Sequence, residues 1–314
     1  MSYFPFRPNF VAAYAQASFL TSFPVIDTAE AVHFSYAWYG CSGLGAFPAL
    51  DTSSGTAFDY AWADCSGLAS FPALNTSSGT NFSFAWQNCA SLTSFPSLNT
   101  SAGLYFVGAW AGCSNLTSFP ALSTAAGVDF SYAWQSCTSL TSFPSINTST
   151  ANSFYYAWAD CSGLTSFPTL DISSGTDISY AWQGCTSLSA FPALNTSGVL
   201  NFTGAWLGCT SLTSFPVLDV GNGADFSSAW ENCSSLVSFP ANFFDNCAGV
   251  YFGYAFNGCA LDQTSVDNIL VSLDYAGQSS GYLDISGGTS SAPSGTGTTA
   301  MASLTGRGWT ITTN

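Results

Sequence analysis

Residues 74–101 read LNTSSGTNFSFAWQNCASLTSFPSLNTS, and the phrase LNTS that opens the stretch returns 24 residues later to close it. Aligning the chain on itself from this stretch outward gives the consensus F-x-x-A-W-x-x-C-x-x-L-x-x-F-P-x-L-(N/D)-T-S-x-G. Trp38, Trp62, Trp86, Trp110, Trp134, Trp158, Trp182, Trp206 and Trp230 keep the 24-residue step without slippage. Each is followed three residues later by a cysteine: Cys41, Cys65, Cys89, Cys113, Cys137, Cys161, Cys185, Cys209 and Cys233. Phe-Pro pairs run at the same period from Phe23-Pro24 to Phe239-Pro240. A degenerate first copy carries Tyr14 and Ala17, and a last copy, displaced by two residues, carries Phe256 and Cys259. End copies depart from consensus because a terminal coil has only one neighbour to pack against.

A period of this length with leucine-type spacing predicts a repeat solenoid of leucine-rich-repeat-like α/β coils. Within one copy, Phe82, Ala85 and Cys89 follow i, i+3, i+7 spacing, so F-x-x-A-W-x-x-C reads as a short helical turn. Leu92 to Phe95 reads as a short strand closed by Pro96, which cannot donate to a ladder. Asn99 to Gly103 reads as the return turn. Coils stacked at about 4.8 Å would make a rod or shallow arc of roughly 50 Å. Residues 1–260 are expected to form this solenoid, with about eleven coils, and 261–314 a C-terminal α/β capping unit. There, SVDNILVSLD (265–274) has helical spacing with Ser265 at the N-cap. YLDISGG reads as a strand and turn, Thr289 to Gly297 as a loop, GTTAMASLTGRG as a second helix and WTITTN as a final strand. Such a unit would cover the open end of the stack.

The same stretch, 74–101, resembles the BspA-like leucine-rich repeats of bacterial surface proteins, which carry D-T-S…Y-M-F-x-x-C-S-S-L-T-S-L or A-F-x-x-C-x-x-L patterns. It departs in placing Trp where the family usually has Phe, and F-P where it has a leucine or isoleucine strand. The resemblance covers about four fifths of the chain and implies a solenoid associated with surface adhesion and host binding, in bacteria and also in phage proteins. Sites are grafted on folds, so the ligand does not follow from it.

Charge narrows the functions. Charged residues are 6% of the chain, against about 25% in a typical soluble protein. There is no lysine, Arg7 and Arg307 are the basic side chains, and the formal net charge is -15. Nucleic acid is excluded as a partner because phosphate neutralisation needs clustered cations. Anionic membranes are disfavoured for the same reason, and no apolar run is long enough to span a bilayer. The N-terminus, interrupted by Pro5 and Pro8, makes a poor signal peptide. That fits a virion component released by lysis, a protein exported by another signal, or a cytoplasmic one.

Candidate chemistry reduces mostly to packing. Equivalent cysteines on parallel coils lie within disulfide range, but they point the same way, which makes the required torsion awkward. Buried thiols are therefore expected, with Cys247 in an irregular penultimate coil. Metal binding lacks a C-x-x-C pair, and His33 is the single histidine. The Trp ladder offers a stacking platform for sugars, yet its place beside the buried face favours packing. Asp27, Asp51, Asn75, Asn99, Asn147, Asp171, Asn195 and Asp219 form one turn file, and Asn81, Asp129, Asp177, Asn201 and Asp225 a second. Calcium is one reading of these files, and side chains capping their own turns is the favoured one. No cofactor is expected, and one His with no Lys leaves little for acid–base or nucleophilic catalysis. Asn81-Phe82-Ser83 and Asn115-Leu116-Thr117 match glycosylation acceptors at a rate that chance supplies here.

The candidate binding face is a hydroxyl file on the strand leg: Thr93 and Ser94, Thr117 and Ser118, Thr141 and Ser142, Thr165 and Ser166, Thr213 and Ser214. Its outward members would form an uncharged row that binds a glycan, packs against another subunit or orders water as ice-binding solenoids do. Simple solubility without charge explains the row equally well. The expected role is a non-enzymatic surface or virion protein of the phage tail-fibre or adhesin type, recognising a cell-surface glycan or protein. The rival is a self-assembling subunit, a homo-oligomer or virion decoration.

Overall fold

The computed structural model describes residues 9–314. Arg7 and the prolines at 5 and 8 lie outside them. The chain is a repeat solenoid with a 24-residue coil, and it closes on a small parallel sheet and two helices.

The run F-x-x-A-W-x-x-C is not a helical turn. Ala61, Ala63 and Cys65 donate back three residues, to the carbonyls of Phe58, Tyr60 and Trp62, at 3.0–3.2 Å. The alternate amides of Phe58, Tyr60, Trp62 and Asp64 leave the coil and donate to Asn81, Ser83, Ala85 and Gln87 of the next, at 2.7–2.9 Å. Tyr60 and Asp64 sit at φ 55° and 59°. A right-handed helix admits no positive φ and sends every amide back along its own chain. The segment is a chain of overlapping turns, and alternate turns have their third residue, Tyr60 or Asp64, in the left-handed region. The i, i+3, i+7 apolar spacing is common to both geometries, which is why the spacing pointed to a helix.

The strand leg is extended but thinly paired. Ser94 bridges Ser118, Ser142 bridges Ser166, and Ser214 bridges Ser238, all in parallel. The second leg pairs along a longer file, from His33–Ala57 through Asn81, Tyr105, Asp129, Ser153 and Asp177 to Asp225–Tyr251. At that point the ladder thickens into a sheet of β1 (Tyr251–Phe252), β2 (Tyr282–Asp284) and β3 (Thr310–Thr312), with Tyr251 opposite Tyr282 and Tyr282 opposite Thr310. Two helices, α1 (Gln263–Ala276) and α2 (Gly295–Gly306), pack on each other beside it. The N-cap of α1 is Asp262, not Ser265: the Ser265 amide donates to Asp262 Oδ1 at 2.7 Å. Ser265 lies within the first turn, and its hydroxyl accepts from the Phe239 amide at 2.8 Å, tying cap to solenoid. Helix α2 begins at Gly295, so the preceding loop stops at its N-cap, Ser294.

The core is a set of parallel columns. Neighbouring indoles from Trp38 to Trp230 stack at 5.4–5.8 Å with 3–11° between planes. The Phe of each Phe-Pro pair stands edge-on to the indole of its own coil, as Phe95 does to Trp86 at 4.8 Å and 77°. Phe34, Phe58, Phe82, Phe106, Phe130 and Phe154 form a third column. All these indoles are fully buried. Nine indole N–H groups, Trp38 to Trp230, find no oxygen or nitrogen acceptor. Perpendicular Phe rings stand beside them on both sides, as Phe71 and Phe95 do beside Trp86. Trp309, in the cap, does find an acceptor in the Gln278 carbonyl at 2.8 Å.

Candidate binding faces

The solenoid spends its polar side chains on its own coils before any are left for a partner. Buried threonines tie coil to coil: Thr52 donates to the Asn75 carbonyl at 2.7 Å, Thr100 to Ser123 at 2.6 Å and Thr148 to Asp171 at 2.5 Å. Ile172 and Val220 replace threonine in this file. Both Asn/Asp files turn inward on their own turns. Asp51 Oδ1 accepts from the Ser53 amide at 3.0 Å and hydroxyl at 2.7 Å, and these bonds hold its carboxyl below the usual range. Asp171 and Ser173 repeat this arrangement. In the second file Asp129 and Asp225 accept from the amides of Ser131 and Ser227 at 2.8 Å. Among the described residues no three His, Cys, Asp or Glu side chains gather as a metal site.

The cysteines are eleven free, buried thiols. From Cys65 onward each ladder thiol donates to the tryptophan carbonyl of the preceding coil, as Cys89 does to Trp62 at 3.2 Å, and Cys41 donates to the Tyr14 carbonyl instead. Burial pushes their pKa up, to about 12 for Cys113, Cys161 and Cys209. Cys247 is also buried, accepts from the Gly249 amide at 3.3 Å and is pushed up to about 11. None of them is available as a nucleophile.

The strand-leg hydroxyl file is at the surface. Both residues of every pair, from Thr93 and Ser94 to Thr213 and Ser214, are exposed, instead of the single outward member expected from strand alternation. The leg is too sparsely paired to impose a pleat. The two files differ in use: Thr117 and Thr165 hydroxyls donate to the carbonyls of Thr93 and Thr141, at 3.2 and 3.1 Å, whereas no protein partner engages the hydroxyls of Ser94, Ser118, Ser142 or Ser166 among the described residues. Four successive coils carry Thr-Ser; Gly45-Ala46, Ala69-Ser70 and Ser189-Ala190 dilute the file on either side. No charged residue stands on this leg between Gly45 and Ser238 at the paired positions.

Sequence reasoning missed a second surface, on the turn run. The first left-handed position of each coil carries Tyr36, Tyr60 and Phe84, then Gly108; then Tyr132, Tyr156 and Tyr180, then Gly204. Their rings stack outside the core at 4.6 and 4.7 Å in the first group, and at 5.4 and 4.7 Å in the second. Each group ends with its last ring lying over the glycine: a Cβ on Gly108 would meet Phe84 at 2.4 Å, and one on Gly204 would meet Tyr180 at 2.3 Å. Tyr155 stands edge-on to Tyr132 and Tyr156, at 5.1 and 4.6 Å, and burial, with the hydrogen bond that the Tyr132 hydroxyl donates to Tyr155, pushes Tyr132 up to about 12. Tyr39 stands edge-on to Tyr36, and the Asp64 carboxylate beside it raises its pKa. The two groups recur four coils apart: YAWADCSGL at 60–68 returns unchanged at 156–164. That four-coil period was the available signal. It was hidden because the consensus treats these positions as x.

An open groove of about 350 Å³ lies in the cap between Ala241, Thr264, Asp267, Val271 and Thr296. Its carboxylate, Asp267, is held by the amide and hydroxyl of Ser294, and no base stands beside a nucleophile there. No helix among the described residues is long and apolar enough to cross a membrane. Comparison with known proteins finds no matching family model, curated protein or solved structure.

Proposed function

We propose that the chain is a non-enzymatic surface or virion protein of the adhesin or tail-fibre type, built on leucine-rich-repeat-like coils akin to the BspA-like kind. Its partner is a cell-surface glycan or protein. The observation that carries the reading is a solenoid surface rich in exposed, uncharged hydroxyls, with the Thr93–Ser166 patch as its most regular part. The reactive residue types are absorbed elsewhere: thiols in the core, carboxylates in their own turns. A chain with -15 net charge and two arginines meets neutral or cationic partners without electrostatic cost. The test is attachment of labelled protein to a glycan array and to intact bacterial cells. Attachment should be lost when Thr141, Ser142, Thr165 and Ser166 are replaced together by Val, Ala, Val and Ala if the strand leg is the contact face. Absence of attachment to every surface would sink the reading.

A self-assembling subunit is the second reading. It is favoured by apolar residues on the same charge-free leg, with Val217 59% and Val237 44% exposed. Light scattering separates the two, because this reading requires oligomers of the purified protein.

A further inference from the structure

The aromatic groups on the turn run are not required by the fold. Gly108, Gly204 and Ser228 occupy the same left-handed position in other coils, and the Trp and Phe columns fill the core without them. A bulky residue at positive φ is strained relative to glycine, because its Cβ crowds the following carbonyl. Seven aromatic residues are nonetheless held there: Tyr254 and Tyr36 are 56% and 39% exposed, and Tyr60, Phe84, Tyr132, Tyr156 and Tyr180 are part-exposed. Backbone strain retained for a half-exposed side chain points to a use at that surface.

We propose that Tyr132, Tyr156 and Tyr180 with Asp160, and Tyr36, Tyr60 and Phe84 with Asp64, are two related subsites for an uncharged glycan chain lying along the solenoid axis. The proposal rests on the surface-binding reading above and assigns it a face and a ligand class. Three features identify the ligand. The rings stack face to face, so their edges offer van der Waals contact to a sugar, while the tyrosine hydroxyls and the carboxylate supply the hydrogen-bonding groups that its O–H groups need.

Asp160 is partly desolvated, which raises its pKa. The next coil offers it only Gly184, over which the carboxylate lies, and no side chain donates to it among the described residues. Asp64, by contrast, already accepts from Asn88 Nδ2 at 2.8 Å, which makes the Asp160 group the stronger subsite. Charge decides against anionic glycans, because no cation stands near either group and the chain carries -15.

Repetition decides for a polymer. The two groups lie four coils apart, about 19 Å at the usual strand spacing, on one face and with the same nine-residue sequence around them. A chain of identical sugar units can engage both at once, and the second engagement is then intramolecular.

The experiment is calorimetry with cellohexaose, chitohexaose and mannohexaose, with polygalacturonate as the anionic comparison. Two variants keep the fold: Asp160→Asn preserves shape at a position where Asn88 and Asn232 are already accommodated, and Tyr156→Ser copies Ser228. The expected result is binding of a neutral hexasaccharide, at least tenfold weaker in each variant, with the melting temperature held within a few degrees. Tyr60→Ser combined with Tyr156→Ser should weaken the hexasaccharide further than Tyr156→Ser does. Undiminished binding in the variants, or tighter binding of polygalacturonate, overturns the assignment while surface attachment stands. Failure of all three hexasaccharides to bind, with cells still attached, overturns it as well. Loss of attachment to every surface removes the parent reading too.

Discussion

The Cys137 thiol donates to the carbonyl oxygen of Trp110, one coil earlier, at 3.3 Å. That oxygen also accepts from the Cys113 amide at 3.1 Å, so both of its lone pairs are used inside a sealed core. The bond recurs at each coil, from Cys65 to Cys259. Cysteine therefore serves here as a small apolar side chain with one weak donor, filling the space beside the indole column.

Thiol chemistry follows from that position. At pH 8 the native protein should not react with a thiol-specific disulfide reagent, and all eleven cysteines should react once it is denatured. Rapid reaction of several thiols in the native state would show that the columns open.

Alkaline pH should unfold it. The folded thiols of Cys113, Cys161 and Cys209 are raised from 9.0 to about 12, so above pH 9 the unfolded chain loses these protons more readily than the folded one. Their contribution is complete below about pH 9 and lost as pH rises through about 12, with steepness set by the number of buried thiols. Denaturant midpoints measured from pH 8 to 12 test this. Cys137→Ala should flatten the slope.

Trp134 carries an N–H with no acceptor. Trp134→Ala should cost about 3–5 kcal/mol through lost area and a cavity. Trp134→Phe should cost much less, on the order of 1–2 kcal/mol, because it removes the unpaired donor along with part of the ring. Chemical denaturation of the two variants gives the comparison, and equal losses would mean the N–H is satisfied after all.

Thr148→Val keeps shape and deletes the bond to the Asp171 carbonyl. About 1 kcal/mol should be lost with this part-buried bond, a modest cost because Ile172 and Val220 already stand in this file. Urea midpoints measure it.

Ser136 sits at φ 58° with no side-chain partner, at a position that Gly112 fills in the preceding coil and Asp160 in the following one. Ser136→Gly should raise stability by up to about 1 kcal/mol, the relief of the left-handed strain less the extra freedom of the unfolded chain. A drop in stability would show that Ser136 makes a contact through its side chain.

Much of this architecture is written in the period. The 24-residue step places every Trp, Cys and Phe-Pro pair on its column, because identical coils stack identical side chains, and burial then follows from residue type alone. The Asx turns at Asp51 and Asp129 were legible for a similar reason: Asn and Asp bond their own backbone two residues on whatever surrounds them. What the period could not convey is where the amides of F-x-x-A-W-x-x-C go. Helical and turn geometries share the same apolar spacing, and the choice was made by the next coil, whose carbonyls at Asn81, Ser83, Ala85 and Gln87 take alternate amides and force Tyr60 and Asp64 to positive φ. The same non-local pairing turns Tyr36, Tyr60 and Phe84 outward as a stack. No single coil contains that surface; it exists only because neighbouring coils bring residues 24 apart within ring-stacking distance.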